Sequence, residues 1–265
     1  MLRALPRALR LRRPWMSPGA RGCAAHASTR TPEIQVQALT GPNQGITEIL
    51  MNRPHARNAL GNVFVSELLE ALAQLREDQQ VRVLLFRSAV KGVFCAGADL
   101  KERERMSAAE VGTFVQRLRG LMSEIASSAV MGLIETTRGL LPGAGGTQRL
   151  PRCLGVALAK ELIFTGRRLN GVQAHELGLV NHAVAQNEEG DAAYHRALAL
   201  AQEILPQAPI AVRLGKVAID RGMEVDIASG MAIEHMCYAQ NIPTQDRLEG
   251  MAAFREKRPP KFVGK

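Results

Sequence analysis

The residue best suited to acid–base chemistry is Glu135, which follows a short apolar run over residues 130–134. A glycine-rich turn at residues 142–146 comes next, before the helix-start signal Thr147-Gln148-Arg149. Burial of a carboxylate raises its pKa and suits it to proton transfer near neutral pH. A lone glutamate at a loop start is more often solvated, but a glycine turn can bring helix N–H groups close to negative charge. Glu135 is therefore a candidate acid or base.

A second candidate is the run of small residues Cys95-Ala96-Gly97-Ala98, which follows an apolar stretch at residues 81–86. Small residues allow a backbone to approach a ligand closely. A tight loop without a ligand would have the same composition. Both interpretations stay open on composition alone.

The elements that must position the small-residue loop are readable from periodicity. Residues 33–37 and 46–51 predict an antiparallel pair of strands, and residues 81–86 predict a buried strand. The passage NRPHARNAL at residues 52–60 is predicted to open the helix between them. The apolar face of that helix consists of Phe64, Leu68, Leu72 and Leu75.

Later elements should surround Glu135. Ser107 and Glu110 predict a capping box that opens a helix, and Gly166 is a candidate cap for a helix over residues 156–164. A short helix and a strand are predicted at residues 174–177 and 179–184. Amphipathic helices should then cover residues 191–205, 208–221 and 225–241.

Two passages resemble signatures of the enoyl-CoA hydratase/isomerase (crotonase) family. The run GLIETTRGLLPGAGGTQRLPR at residues 132–152 resembles its second signature, and FCAGADLK at residues 94–101 resembles its oxyanion loop. The resemblance implies that Glu135 is a catalytic acid/base and that the Ala98 N–H polarises a thioester carbonyl. One such donor can lower a barrier by roughly 3–4 kcal/mol.

The resemblance also implies residues that bind the acyl-CoA. Lys101 would lie near the CoA phosphates, as would Lys257 in the passage FREKR, although a solvated charged tail is an open alternative for Lys257. The full implied set of substrate- and CoA-binding residues is Ala96, Gly97, Asp99, Leu100, Lys101, Gly143 and Lys257.

The fold implied is α/β, a crotonase-like (ClpP/crotonase) spiral of β-β-α repeats with a C-terminal helical subdomain and one incomplete repeat. We predict a transit peptide at residues 1–32, a core at 33–205 and a C-terminal helical region at 206–265. A run of helices after an α/β core is typical of an appended subdomain.

The incomplete repeat is the place where the sequence departs from the family. Members place a strand, a helix opened by a glycine triplet and carrying a Glu, and a further strand before the second signature. Here Ile125 and Ala126 run directly into Ser127. The second oxyanion N–H and the first catalytic Glu are therefore missing. The clean edges on both sides suggest a variant produced by exon skipping.

The function implied is hydration of 2-enoyl-CoA thioesters in fatty acid metabolism, impaired in this chain. Losing one oxyanion donor costs about a hundred- to a thousandfold in rate, and losing a general acid/base costs about a hundred- to ten-thousandfold. The alternatives are an inactive subunit of a homo-oligomer, since the family forms trimers and hexamers, and an RNA-binding protein. Few cations on the helix over residues 62–78 argue against RNA, because that helix carries Glu67, Glu70, Glu77 and Asp78 against Arg76.

Positive charge is concentrated at the N-terminus. Residues 1–32 contain seven arginines and no acid, so seven of the nine excess charges lie there and +2 is left for the rest. This composition predicts a mitochondrial transit peptide and a matrix location, with a basic arm as the alternative.

The remaining composition predicts no metal site, no membrane span and no cofactor beyond the CoA carried by the substrate. The cysteines Cys23, Cys95, Cys153 and Cys237 show no metal-binding spacing, and the six histidines form no metal motif. A reducing matrix should keep the thiols free.

Overall fold

A computed structural model describes residues 31–125 and 132–265 of the chain, and its sheet lies in the first of these ranges. Strands β1 (Ile34–Ala38) and β2 (Ile46–Met51) run antiparallel, as the alternation predicts, and β3 (Val83–Ser88) pairs with β2 in parallel. The strand order is β1-β2-β3. The predicted transit peptide and the join between Ala126 and Ser127 lie outside the described residues, apart from positions 31 and 32.

Helix α1 (Asn62–Glu77) connects β2 to β3 and begins later than the sequence predicts. The passage NRPHARNAL does not open the helix. It forms a 3-10 turn at Pro54–Ala56 and then a bend in which Arg57 and Asn58 have φ angles of 52° and 54°. Consecutive left-handed residues cannot continue a right-handed helix, so α1 begins only after the bend.

The remaining helices follow in chain order. Their bounds are α2 (Leu100–Glu104), α3 (Ala108–Ile125), α4 (Gly146–Leu154), α5 (Val156–Thr165), α6 (Gly171–Glu176), α7 (Ala192–Ile204), α8 (Pro209–Gly222), α9 (Ile227–Asn241) and α10 (Gln245–Glu256). The capping box before α3 is confirmed, because the Ser107 N–H and hydroxyl both donate to Glu110. Gly166 caps α5 with a φ of 59°, as predicted.

Apolar side chains on both faces of the sheet form its core. Ile49 and Met51 of β2 pack with the buried face of α1 and with Phe114 and Leu118 of α3. On the opposite face, Ile46 and Leu85 pack against Ala201 of α7. A further cluster is centred on Leu162 of α5, Leu169 of the connection that follows, and Ala174 of α6.

Strand β3 departs from the predicted buried strand at residues 81–86. It runs two residues later, over Val83–Ser88, and Leu85 is its one fully buried residue. The rest are half-buried because β3 lies at the edge of the sheet, and no strand among the described residues pairs with its other side. A strand with neighbours on both sides would be covered more completely.

The predicted strand at residues 179–184 is also wrong. After α6 the N–H groups of Leu179 and Val180 both donate to the Ala174 carbonyl, so the chain continues the turn. The rest of the segment is irregular, since no strand among the described residues pairs with it. Residues 132–134, predicted to be a buried approach to Glu135, are half-buried and irregular as well.

None of the described helices is long and apolar enough to cross a bilayer. Cys95, Cys153 and Cys237 carry free thiols, as predicted, whereas Cys23 lies outside the described residues. The division between a core at residues 33–205 and a helical region at 206–265 stays a prediction.

Candidate active site

The small-residue loop after β3 is pinned to the bend before α1. The Leu60 N–H donates to the Gly97 carbonyl at 2.7 Å, and the Asp99 N–H donates to the Leu60 carbonyl at 3.1 Å. Leu60 and Ala98 thus form a parallel β-bridge. In such a bridge the N–H of the central residue points away from the partner strand. The Ala98 N–H therefore faces away from Leu60.

The Ala98 N–H differs from its three neighbours. The Ala96 N–H donates to the Arg57 carbonyl at 3.1 Å, the Gly97 N–H to Cys95 Sγ at 3.4 Å, and the Asp99 N–H to Leu60. Within the described residues, the Ala98 N–H has no acceptor. A buried or half-buried donor without a partner is unusual, and an oxyanion donor needs this availability.

Gly97 and Cys95 give the loop its shape and keep it uncharged. Gly97 has a φ of 85°, a backbone conformation that residues other than glycine rarely adopt. Burial raises the pKa of the Cys95 thiol, outweighing the opposite effect of the Gly97 N–H. Cys95 is therefore a neutral thiol at physiological pH, and it adds no negative charge beside the Ala98 N–H.

Sequence reasoning missed two residues that hold this loop, Arg53 and Asn58. The Asn58 side chain is fully buried and donates to Ser88 Oγ at 2.9 Å and to the Phe94 carbonyl at 3.0 Å. Its oxygen accepts the Arg53 N–H at 2.8 Å. Their spacing in NRPHARNAL was visible, but the passage was interpreted as a helix start.

The Arg53 guanidinium, in a residue only 6% exposed, lies against Asp99 and Glu102 at 2.8 Å each and Glu33 at 3.3 Å. Burial raises the pKa of Asp99, but hydrogen bonds from the Glu102 N–H and from Arg53 outweigh it and hold that pKa below its ordinary value. The Asp99 side chain also caps α2. The Asp99 N–H is occupied by the Leu60 carbonyl, and the Asp99 carbonyl accepts the Arg103 N–H at 3.1 Å, so the predicted ligand-lining role of Asp99 stays a prediction.

Glu135 begins the 3-10 helix Glu135–Arg138, which is held against α5. The Thr136 hydroxyl donates to the Ile163 carbonyl at 2.6 Å, and the Leu140 N–H donates to the Glu135 carbonyl at 3.0 Å. The backbone is therefore fixed, whereas the buried oxygen Oε2 of the Glu135 carboxylate has no hydrogen-bond partner among the described residues. An unpartnered buried carboxylate oxygen costs free energy, which is typical of a group retained for function.

The glycine turn lies next to α3 and close to the same core as the loop. A Cβ on Gly143 would lie 3.5 Å from Val115 of α3, and Ala144 packs on the core cluster that Ala98 also contacts. Gly145, with a φ of 94°, precedes α4, so the predicted helix start is confirmed. The structure thus brings the Ala98 loop and the glycine turn to one apolar cluster.

The other predicted CoA-binding residues lie farther out. Leu100 and Lys101 are the first residues of α2, and the Lys101 side chain is exposed. Lys257 is exposed at the end of α10, with a left-handed φ of 54°. Among the described residues, no hydrogen bond or ion pair joins Lys257 to the Ala98 loop. The phosphate-binding roles of both lysines stay predictions.

Two cavities among the described residues are bordered by neither Ala98 nor Glu135. One of about 20 Å³ is bordered by Gly132 and Leu133, beside the Glu135 segment. The other, of about 380 Å³, is bordered by α8, α9, α10 and Phe262. No group of three or more potential metal ligands occurs among the described residues.

Comparison with known proteins identifies a family match in two pieces. The family model described as enoyl-CoA hydratase/isomerase matches residues 41–131 and 122–265. The two matched stretches overlap at residues 122–131, where the sequence departs from the family. The split match supports an internal omission at that place.

Curated relatives match over most of their lengths, and two of them illustrate the range of identity. Enoyl-CoA hydratase domain-containing protein 2, mitochondrial, from Mus musculus is 83% identical over 296 aligned positions, covering 100% of both chains. Since this chain has 265 residues, about 31 of those positions have no residue here. Human methylglutaconyl-CoA hydratase, mitochondrial, is 46% identical, and the alignment covers 92% of this chain and 81% of the relative.

Solved structures share the fold. An enoyl-CoA hydratase from Bacillus anthracis aligns with a TM-score of 0.80 at 38% identity, covering 88% of this chain and 100% of that one. An enoyl-CoA hydratase from Mycobacterium tuberculosis H37Rv aligns with a TM-score of 0.75 at 30% identity. The predicted crotonase-like α/β fold is confirmed.

Proposed function

Because this chain belongs to the enoyl-CoA hydratase/isomerase family, we propose that its Ala98 loop binds the thioester group of a 2-enoyl-CoA. The observation that carries the proposal is the Ala98 N–H, which has no acceptor among the described residues while the N–H groups on both sides of it are occupied. The carbonyl oxygen of a thioester is the acceptor that such a donor fits.

Glu135 is proposed to transfer a proton in the same reaction. Hydration adds the oxygen of water to C3 of the enoyl group and a proton to C2. The electron pair of the double bond moves onto the thioester oxygen before C2 is protonated. An acid/base is needed for each proton movement, and Glu135, whose buried Oε2 has no hydrogen-bond partner in residues 31–125 and 132–265, supplies one of them.

Hydration by this chain is proposed to be slow. The family's second oxyanion donor and first catalytic glutamate have no counterpart in the sequence across the join at Ala126. The two losses together reduce the rate by about four to seven orders of magnitude if they act independently. The alternative is an inactive subunit that joins an oligomer without catalysing a reaction.

The biological setting follows from the same family. We propose a mitochondrial matrix location, a role in fatty acid metabolism, and no cofactor beyond the CoA of the substrate. A homo-oligomer is supported by apolar side chains left exposed on the C-terminal helices, including Ile227 at 81% and Phe254 at 87%. No nucleic acid partner is expected, since Glu67 and Glu70 make α1 acidic.

The test is hydration of crotonyl-CoA by the purified chain, followed by loss of enoyl absorbance. Any turnover by the unmodified chain should fall about a hundredfold or more in Glu135→Gln. The matched control is Glu161→Gln on α5, because the Glu161 carboxylate is exposed and pairs with Arg167 at 2.8 Å. The control should keep the activity of the unmodified chain.

Three results would separate the alternatives. Equal turnover in the unmodified chain and in Glu135→Gln would remove Glu135 from the chemistry. A folded chain that binds crotonyl-CoA without turnover would favour the inactive subunit. A folded chain that does not bind crotonyl-CoA at all would contradict the proposed function.

A further inference from the structure

We propose that Arg53 and Asn58 are positioning residues that fix the direction of the Ala98 N–H. In this proposal a buried polar cluster from another segment of the chain determines the direction of the N–H, and the loop's own sequence does not determine it alone. This role rests on the proposed function, because the direction of the N–H affects the reaction only if Ala98 donates to a thioester carbonyl. The contacts themselves do not depend on it.

Arg53 holds the loop from the side of the β-bridge. Its Nη1 donates to Asp99 at 2.8 Å and to the Ala59 carbonyl at 2.7 Å. Asp99 directly follows Ala98, and Ala59 directly precedes its bridge partner Leu60. One nitrogen therefore ties together the two strands of the bridge next to the donor.

Glu102 closes the arrangement into a ring. One of its carboxylate oxygens accepts from Arg53 Nη2 at 2.8 Å, and the other accepts the Asn62 N–H at 2.8 Å. Asn62 is the first residue of α1, two positions after Leu60. A rotation of the Ala98 peptide would thus have to break contacts at the starts of both α1 and α2.

Asn58 holds the opposite end of the loop. It donates to the Phe94 carbonyl and to Ser88 Oγ, and the Ser88 hydroxyl in turn donates to the Val93 carbonyl at 2.6 Å. The loop is therefore fixed where it leaves β3 and again where it enters α2. Ala98 lies between the two anchors, and the φ of Gly97 provides the turn between them.

Arginine suits this position for a geometric reason. Three carboxylates, those of Glu33, Asp99 and Glu102, surround one guanidinium. A planar fork with several donors can satisfy them together, whereas an ammonium group acts from a single point. A lysine would keep the charge and lose the fork, so it separates positioning from charge balance.

The experiment compares the full chain with Arg53→Lys and with the matched control Arg87→Lys, since Arg87 lies on β3 against Glu48 and Tyr194. Amide exchange should become about tenfold faster at Leu60 and Asp99 in Arg53→Lys, as expected for losing one charged hydrogen bond. Amides of α5 and α9 should keep their rates. Arg87→Lys should leave the exchange of Leu60 and Asp99 unchanged.

The second readout is the absorption of a bound chromophoric enoyl-CoA, which shifts to longer wavelength when its carbonyl is polarised. Arg53→Lys should reduce this shift while changing the dissociation constant about threefold or less. A purely structural role would raise exchange uniformly across the chain. Uniform exchange, or an unchanged loop together with an unchanged shift, would overturn the proposal.

Two arrangements keep the test decisive. If Arg53→Lys does not fold, Glu102→Gln removes one side of the ring at a half-exposed position, and faster exchange at Asp99 is still expected. If the unmodified chain gives no spectral shift, the proposed function fails. Amide exchange at Leu60 and Asp99 then still decides whether Arg53 positions the loop.

Discussion

At the scale of single residues, the candidate site is mainly backbone. Ala98 contributes an N–H group. Unlike the N–H groups of the residues on both sides, which donate to acceptors of the protein, this N–H has no acceptor among the described residues. No side-chain pattern in a sequence records which N–H groups are occupied. The family resemblance identified Ala98, whereas Arg53 and Asn58 emerged only when their buried partners were known.

Gly97→Ala should destabilise the loop through backbone strain alone. The φ of Gly97 is 85°, and a Cβ there would meet no atom within 4 Å, so crowding adds nothing. We expect the free energy of unfolding to fall by about 1–2 kcal/mol, measured by urea denaturation.

Gly112→Ala is the matched control for that substitution. Gly112 lies in α3, where a Cβ also has open space and where φ is not positive. Alanine in a helix interior should raise the stability by about 0.5–1 kcal/mol. Equal changes in the two variants would show that the Gly97 conformation is not required.

At the scale of elements, sequence patterns predicted correctly those features that depend only on interactions within one segment. The capping box at Ser107 and the cap at Gly166 are local, and both are confirmed. The predicted strand at residues 179–184 is wrong and the predicted burial of β3 is overstated, because a strand depends on neighbours that a single segment does not encode. The predicted start of α1 was too early, because two left-handed residues follow the turn that begins at Pro54.

The C-terminal tail offers a prediction at the same scale. Glu249 of α10 accepts hydrogen bonds from Arg258 at 2.6 and 2.9 Å and from the Lys261 N–H at 2.8 Å. These bonds, Arg258 first, lower the pKa of Glu249 to about 2. The contribution to stability is therefore present above the ordinary pKa of 4.5 and is lost as the pH falls toward about 2.

Glu249→Gln should release the tail at neutral pH. The amides of Val263 and Gly264, which donate to Asp246, should exchange severalfold faster. Lowering the pH should then increase their exchange rates less than it does in the unmodified chain. Amide exchange followed by mass spectrometry measures this. Glu234→Gln, at an exposed position on α9, is the control. An unchanged tail in Glu249→Gln would contradict the assignment.

At the scale of the whole molecule, the edge of β3 is the main departure from a closed fold. Its outward backbone groups have no strand beside them among the described residues. Exposed edges with half-buried apolar side chains promote pairing between chains. The family's missing unit would supply a strand in the sequence that follows α3, which is consistent with about 31 unmatched positions in the mouse alignment.

This chain should therefore form a wider range of oligomer sizes than a family member that has the additional strand. We expect size-exclusion chromatography with light scattering to give a mass that rises with concentration and no fixed subunit number. The longer mouse relative, measured in the same buffer, is the control and should give one defined mass. A single sharp mass for both proteins would show that the β3 edge is covered in solution.

The ring around Arg53 has a consequence for the order of folding. All of its members, from Glu33 to Glu102, lie before the join at Ala126, and the widest of their contacts, between Arg53 and Glu102, spans 49 residues of chain. Contacts of short sequence separation close early, since little chain entropy is lost. A chain that emerges N-terminus first during synthesis can assemble the Ala98 loop before the residues after the join have been made. The contacts of the ring therefore do not require the sequence that follows the join, and the loop can form whatever that sequence contains.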